Sequence, residues 1–118
     1  MAVASGRLLK TIERMVSESF FREAIYLLDL IICRDGESVS LLLDKARIIL
    51  EAHDPTLPVW EAECCLERAH EMDRNDPTPI CLLGRFYAVL QPDAKRALYF
   101  DDVLRKVVAM KRRRLLTL

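Results

Sequence analysis

Cysteine and histidine are the residues of this sequence most able to bind a metal ion or to take part in catalysis. Cys64 and Cys65 are adjacent, and His70 follows Cys65 by five residues. Adjacent residues of a helix point about 100° apart, so these two thiols would chelate a metal poorly, and structural zinc sites prefer a Cys-x-x-Cys spacing. We therefore predict no metal site and no cofactor. Since no signal-peptide core is present, we interpret the four cysteines as reduced thiols in the core of a cytoplasmic protein.

No residue stands in a recognisable catalytic motif. The two histidines, His53 and His70, have no catalytic signature around them. No serine lies in a Gly-x-Ser-x-Gly elbow, and the three glycines, at positions 6, 36 and 84, are too scattered to form a phosphate-binding loop. The sequence therefore predicts a protein that is not an enzyme.

Charge is distributed unevenly along the chain. The 18 basic and 18 acidic residues cancel, which argues against a uniformly basic nucleic-acid binder. Residues 105–118, however, carry six basic residues and no acidic one, and Lys111–Arg114 are four consecutive cations. These cations could contact phosphates or an anionic surface, although no aromatic residues alternate with them to stack on bases. The simpler interpretation is the solvated end of a helix, where cations interact favourably with the helix dipole.

Apolar residues recur every three or four positions along almost the whole chain, which predicts helices throughout and no strand. Six helices with short connections follow from the pattern. The first three are centred on Leu8–Val16, which Ser5 would cap, on Phe21–Ile32, and on Leu42–Leu50, which would start at Ser38 or Ser40. The last three are centred on Val59–Met72, on Ile80–Leu90, which Asp76-Pro77 would open, and on Asp93–Met110. The length of 118 residues suits one domain over residues 1–118, and no apolar run approaches the ~20 residues of a membrane span.

The helices form pairs, and the pairs repeat. Ala24 and Leu28 of the second helix match Ala62 and Leu66 of the fourth at an offset of 38 residues. A further step of 34 residues takes Leu66 to Phe100 in the sixth helix. A proline-flanked loop between the third and fourth helices accounts for the longer first step. A period of 34 is that of the tetratricopeptide repeat.

The third pair resembles this tetratricopeptide (TPR) family most closely. Residues 80–87, Ile-Cys-Leu-Leu-Gly-Arg-Phe-Tyr, are similar to the family pattern W-x-x-L-G-x-x-Y, with Ile80 in the tryptophan place. Gly84 stands at the family's glycine, where a small residue lets helix axes approach closely. Ala97 and Phe100 resemble the small and aromatic pair of the second helix, one residue closer than the pattern asks. The resemblance implies an all-α fold of three antiparallel helix pairs stacked as a right-handed superhelix. The repeats would cover about residues 5–38, 39–76 and 77–110, and a basic tail would follow at 111–118.

The resemblance also implies a binding groove, because in this family the first helix of each pair lines a concave surface. The positions that commonly face the ligand carry over to Leu9, Lys10, Glu13, Leu43, Asp44, Arg47, Thr78, Cys81, Leu82 and Arg85. Arg47 and Arg85 would bind carboxylates of a partner, and Leu43 and Leu82 would receive an apolar side chain. The alternative for Arg47 is an ion pair with Asp44 or Glu51 on its own helix. Because Leu9 and Glu13 stand where carboxylate-clamp TPR domains need Lys and Asn, that role is not expected.

Together these observations predict an interaction module, either an adaptor or a small chaperone, that binds a helix or peptide of another protein in its groove. The main alternative is a structural subunit that forms a homodimer through its sixth helix. The apolar stripe of that helix would otherwise stay uncovered; it consists of Leu104, Val107, Val108 and Leu115. Contact of the basic tail with nucleic acid or an anionic surface is a lesser alternative.

Overall fold

The structure is a computed structural model that describes the backbone of residues 2–117 and the side chains of residues 6–116. Within these residues all regular structure is helical, which confirms the all-α prediction. The helices are α1 (Ala2–Ser17), α2 (Phe21–Asp35), α3 (Val39–Ala52), α4 (Val59–Met72), α5 (Pro77–Arg85) and α6 (Ala94–Thr117). A π-helical turn, Phe86–Leu90, continues α5.

The ends of the helices have local causes. The Ser38 hydroxyl accepts a hydrogen bond from the Leu41 N–H at 3.1 Å, and the Asp76 carboxylate accepts one from Thr78 at 3.0 Å, so both residues act as N-caps. Gly36 ends α2 with a φ of +90°, a conformation that other residues rarely adopt. The cap predicted at Ser5 is wrong, because α1 already begins at Ala2.

The fifth helix differs from the sequence prediction of one continuous α-helix to Leu90. After Arg85 the chain widens into the π-helical turn, in which the Gln91 N–H donates to the Phe86 carbonyl at 3.0 Å. Pro92 has no N–H and disfavours α-helical geometry at the residue before it. The next N–H, that of Asp93, donates to the Tyr87 carbonyl at 2.8 Å. The proline therefore ends the helix, and the wider turn satisfies the carbonyl groups left before it.

The chain divides into two compact units, the first ending at Cys65 and the second beginning at Leu66. In the first unit, α2 packs against both α1 and α3. Its core consists of small and branched apolar side chains, among them Ile12, Ala24, Leu28, Ile31, Leu42, Ala46 and Ile49. Each large apolar side chain among them contributes about 1.5–3 kcal/mol to the free energy of folding by its burial.

One lysine of the first unit, Lys45, forms ion pairs with two other helices. Lys45 of α3 is only 13 % exposed, and its ammonium donates to Asp29 of α2 at 2.8 Å and to Glu61 of α4 at 3.1 Å. Burial by itself would lower the pKa of Lys45, but the hydrogen bonds to the two carboxylates outweigh it, so the pKa is raised. Lys45 therefore keeps its positive charge, and its ammonium nitrogen links α3 to α2 and α4.

In the second unit, α5 and α6 pack together around two aromatic rings of the π-helical turn. The Tyr87 hydroxyl donates to Glu67 at 2.9 Å and accepts from Arg96 at 3.2 Å. The ring of Tyr87 stacks on Phe100, with centroids 5.9 Å apart and planes 10° from parallel. Phe86 meets the Tyr87 ring edge-on at 5.2 Å. The buried tyrosine therefore has partners for both its ring and its hydroxyl.

Gly84 and Gly36 give a contrasting pair of stability predictions. A Cβ added at Gly84 would lie 3.7 Å from the Phe100 Cβ, an ordinary contact, so close approach of α5 and α6 does not require glycine there. We expect Gly84→Ala to raise the free energy of unfolding by about 0.5–1 kcal/mol, because glycine is costly inside a helix. Gly36→Ala should lower it by about 1 kcal/mol or more, because of the positive φ. Urea unfolding followed by circular dichroism measures both, and equal losses would contradict the prediction for Gly84.

Candidate functional site

A cleft of about 450 Å³ opens between α1 and α3 in the first unit. Each helix contributes four side chains, spaced by three or four residues so that they share one face of the helix. They are Leu9, Ile12, Glu13 and Val16 of α1, and Ser40, Asp44, Arg47 and Ile48 of α3. The opposite face of α3 is buried in the core. We refer to this site as the α1–α3 cleft.

Four of the groove residues predicted for the first two repeats line this cleft, namely Leu9, Glu13, Asp44 and Arg47. Lys10 is exposed and lies outside it. Leu43 is buried and does not line the cleft, so it offers no surface to a partner there. Ile12 and Ile48 do line it, but at 4 % and 6 % exposed they are core residues as well. The prediction missed the other four lining residues, Ile12, Val16, Ser40 and Ile48. Their three- and four-residue spacing from Leu9, Glu13 and Asp44 was the available signal.

Glu13, Asp44 and Arg47, the charged residues of the α1–α3 cleft, form no ion pair with any of the residues that the structure describes. Asp44 is half-buried, and burial raises its pKa; the nearby Glu13 also raises it, and the positive charge of Arg47 partly offsets both. Among the described residues, Arg47 forms no ion pair with Asp44 or Glu51, although its positive charge lowers the pKa of Asp44. The cleft thus combines an apolar wall with two carboxylates and one guanidinium.

A second cleft, of about 380 Å³, lies between α5 and α6 in the second unit. Cys81 and Arg85 line it, as do Gly84, Leu98 and Leu104 among others, and its surface is mostly apolar. Thr78 and Leu82, the other groove residues predicted for the third repeat, are half-buried and lie outside this cleft.

The apolar stripe predicted for self-association is only partly available. Val107 is 7 % exposed and packs inside the unit, and Leu104 is half-buried. Val108 and Leu115, by contrast, are 44 % and 73 % exposed. Residues 111–116, which follow on the same helix, are exposed without exception.

The cysteines contradict the prediction of four core thiols. Cys65 is buried, and burial raises its pKa to about 11, which keeps the thiol protonated and unreactive. Cys33, Cys64 and Cys81 are exposed. Cys33 lies two residues from the buried Ile31, a spacing that turns it away from the core. In the part of the chain that the structure describes, no three potential ligands from His, Cys, Asp and Glu form a group suited to a metal ion.

His70 is half-buried, and its edge faces the Phe100 ring at a centroid distance of 5.9 Å. Its Nδ1 is buried and has no hydrogen-bond partner. Burial lowers the pKa of His70, and the nearby Arg74 lowers it further. The lowered pKa favours the neutral form of the ring.

No helix of the described residues is long and apolar enough to cross a membrane. No family model, no curated protein and no solved structure matches the chain.

Asp44→Asn should stabilise the isolated chain by up to about 0.5 kcal/mol near pH 7, because it removes a half-buried charge beside Glu13. The raised pKa means that the penalty is present above the folded-state pKa and disappears as the pH falls through it. The gain should therefore vanish near pH 3, below the usual pKa of aspartate. Asp29→Asn is the matched control, and it should destabilise the chain because it leaves Lys45 with one partner fewer. Urea unfolding at both pH values measures the effects, and a loss of stability with Asp44→Asn would contradict the account.

His70 should make the chain sensitive to mild acid. Its lowered pKa means that the unfolded chain takes up a proton first, so stability falls as the pH drops from about 7 through the usual histidine pKa of about 6.5. We expect His70→Phe, which replaces the ring by an apolar one beside Phe100, to remove this part of the pH dependence. Thermal unfolding of the parent chain and of His70→Phe, at several pH values between about 7 and 5, measures this difference. If the melting temperatures of the two proteins fell equally with pH, His70 would not be the cause of the pH dependence.

Proposed function

We propose that this chain is a non-enzymatic interaction module, an adaptor or small chaperone, that binds a helix or peptide of another protein in the α1–α3 cleft. The observation that carries the proposal is the cleft itself, whose apolar wall surrounds charged side chains that form no ion pair among the described residues. Charges that serve only stability are normally paired when they are half-buried. The contrast with Lys45 in the same unit, which has two carboxylate partners, supports the proposal.

We further propose that the helix pairs are TPR-like. In support, α2 packs against both the helix before it and the helix after it, as the second helix of a repeat would. Small side chains lie at the helix contacts, with Ala24 and Ala62 fully buried at the repeat offset of 38 residues. In the second unit α5 and α6 pack together across a short connection, as a third pair would.

The lining of the cleft defines what a partner must present. An apolar side chain placed between Leu9 and Val16 would gain about 1.5–3 kcal/mol from burial. A carboxylate could form a bidentate pair with Arg47, and a cation could approach Glu13 and Asp44, which relieves their mutual repulsion. Both signs of charge within one cleft favour specificity, because a partner with the reversed pattern would be repelled.

We expect Arg47→Glu to reduce the capture of partners at least about tenfold, equivalent to about 1.4 kcal/mol. The measurement is affinity capture from an extract of the native host, with partners identified and quantified by mass spectrometry. Arg14→Glu is the matched control, since it makes the same change of charge at a position of α1 that does not line the cleft. Circular dichroism checks that both variants fold. Equal recovery of the same partners by the two variants would contradict the proposal.

A further inference from the structure

We propose that the α1–α3 cleft of one molecule binds the C-terminal part of α6 of a second copy, so that copies associate head to tail. This inference rests on the proposed function, in that it takes the cleft to be a protein-binding site, and it names the segment that binds there. Two observations lead to it, namely the exposure of the end of α6 and the complementary charges of the two surfaces.

The end of α6 is a helix with exposed apolar and basic side chains. Val108 and Leu115 are seven residues apart and therefore lie on one face of the helix, separated by about 10 Å. Lys111 and Arg112 lie between them on the same side. Earlier in α6, Arg105 forms an ion pair with Asp101 at 3.1 Å and Lys106 forms one with Asp102 at 3.0 Å. The exposed end is thus a short helical segment in which one face carries two apolar side chains with basic ones between them, and its charge is positive.

The cleft is complementary to this segment in length and in charge. Its α1 wall presents Leu9 and Val16, which are also seven residues apart, so the two pairs of apolar side chains have the same spacing. Between them lies Glu13, and Asp44 faces it from α3. The lining contains one more acidic than basic residue. An amphipathic helix laid in a groove with anchors of this spacing is a common form of peptide recognition.

The arrangement is asymmetric, because each copy offers one cleft and one α6 end, and these are different surfaces. Such heterologous contacts build rings or open chains rather than closed twofold dimers. A symmetric dimer formed by two α6 helices would instead use the same surface on both copies. The two arrangements respond differently to substitutions in the cleft, which makes them separable.

The test uses two variants of the full chain, each of which removes one of the two surfaces. Glu13→Arg reverses an exposed charge of the cleft, and Leu115→Asp places a charge on the exposed face of α6. Glu18→Arg and Leu116→Asp are the matched controls, since Glu18 lies outside the cleft and Leu116 points about 100° away from Leu115. Sedimentation velocity over a range of concentrations, at about 50 mM and about 500 mM salt, measures association, and circular dichroism checks folding.

We expect the parent chain and both controls to associate with rising concentration at low salt and to dissociate at high salt. Each of the two test variants should be monomeric alone, and their equal mixture should form a dimer and nothing larger, because only one intact cleft and one intact α6 end remain. Association by Glu13→Arg alone would overturn the proposal in favour of a symmetric α6 dimer. A parent chain that stays monomeric would also overturn it. If Arg47-dependent capture of other proteins persisted in that case, the proposed function would stand without this inference.

Discussion

The arrangement of the first unit depends on the two ion pairs that the Lys45 ammonium forms with carboxylates of other helices. A lysine that is 13 % exposed would be costly if it were unpaired, but Asp29 and Glu61 hold it from two other helices. Because Leu42 and Ala46 bury the adjacent face of the same helix, the rotation of α3 about its axis is fixed. With this rotation the opposite face of α3 is directed toward α1 and forms one wall of the α1–α3 cleft. The site is therefore a consequence of how α3 is held on its other side.

Stability and recognition place opposite demands on the charges of this unit. Lys45 has its partners within the chain, and its raised pKa shows that the folded state favours its charge. Asp44, one residue earlier, is half-buried and forms no ion pair with any described residue, and its raised pKa shows that the folded state disfavours its charge. A charge that the isolated chain tolerates at a cost is the pattern expected at a binding site, where a partner supplies the missing contact. This contrast between neighbouring residues is why we place recognition at the cleft.

The sequence predicted the helices well and the surfaces less well, for a physical reason. Apolar periodicity identifies which face of a helix is buried, so α4 was predicted with its observed ends, and Ser38 was one of two predicted caps of α3. The groove residues were carried over from the TPR pattern, and that pattern does not show which side chains of this chain line a cleft. Leu43 was therefore predicted for the groove although it lies outside the cleft, and Ile48 was missed. The π-helical turn before Pro92 depends on backbone hydrogen bonds donated by the residues on either side of the proline. The spacing of apolar residues does not indicate such bonds. The TPR-like stacking of the pairs stays a prediction.

The claim that the α1–α3 cleft is the recognition site is tested most directly by photo-crosslinking from single positions. A photoreactive amino acid at Glu13 or Ser40 would lie in the cleft on an exposed side chain, whereas one at Tyr26 would lie on the exposed face of α2 outside it. Irradiation of each protein in extract of the native host, followed by mass spectrometry, identifies what lies against each position. The account predicts that Glu13 and Ser40 give the same adducts and that Tyr26 does not. Adducts at Tyr26 alone, or equally at all three positions, would contradict it.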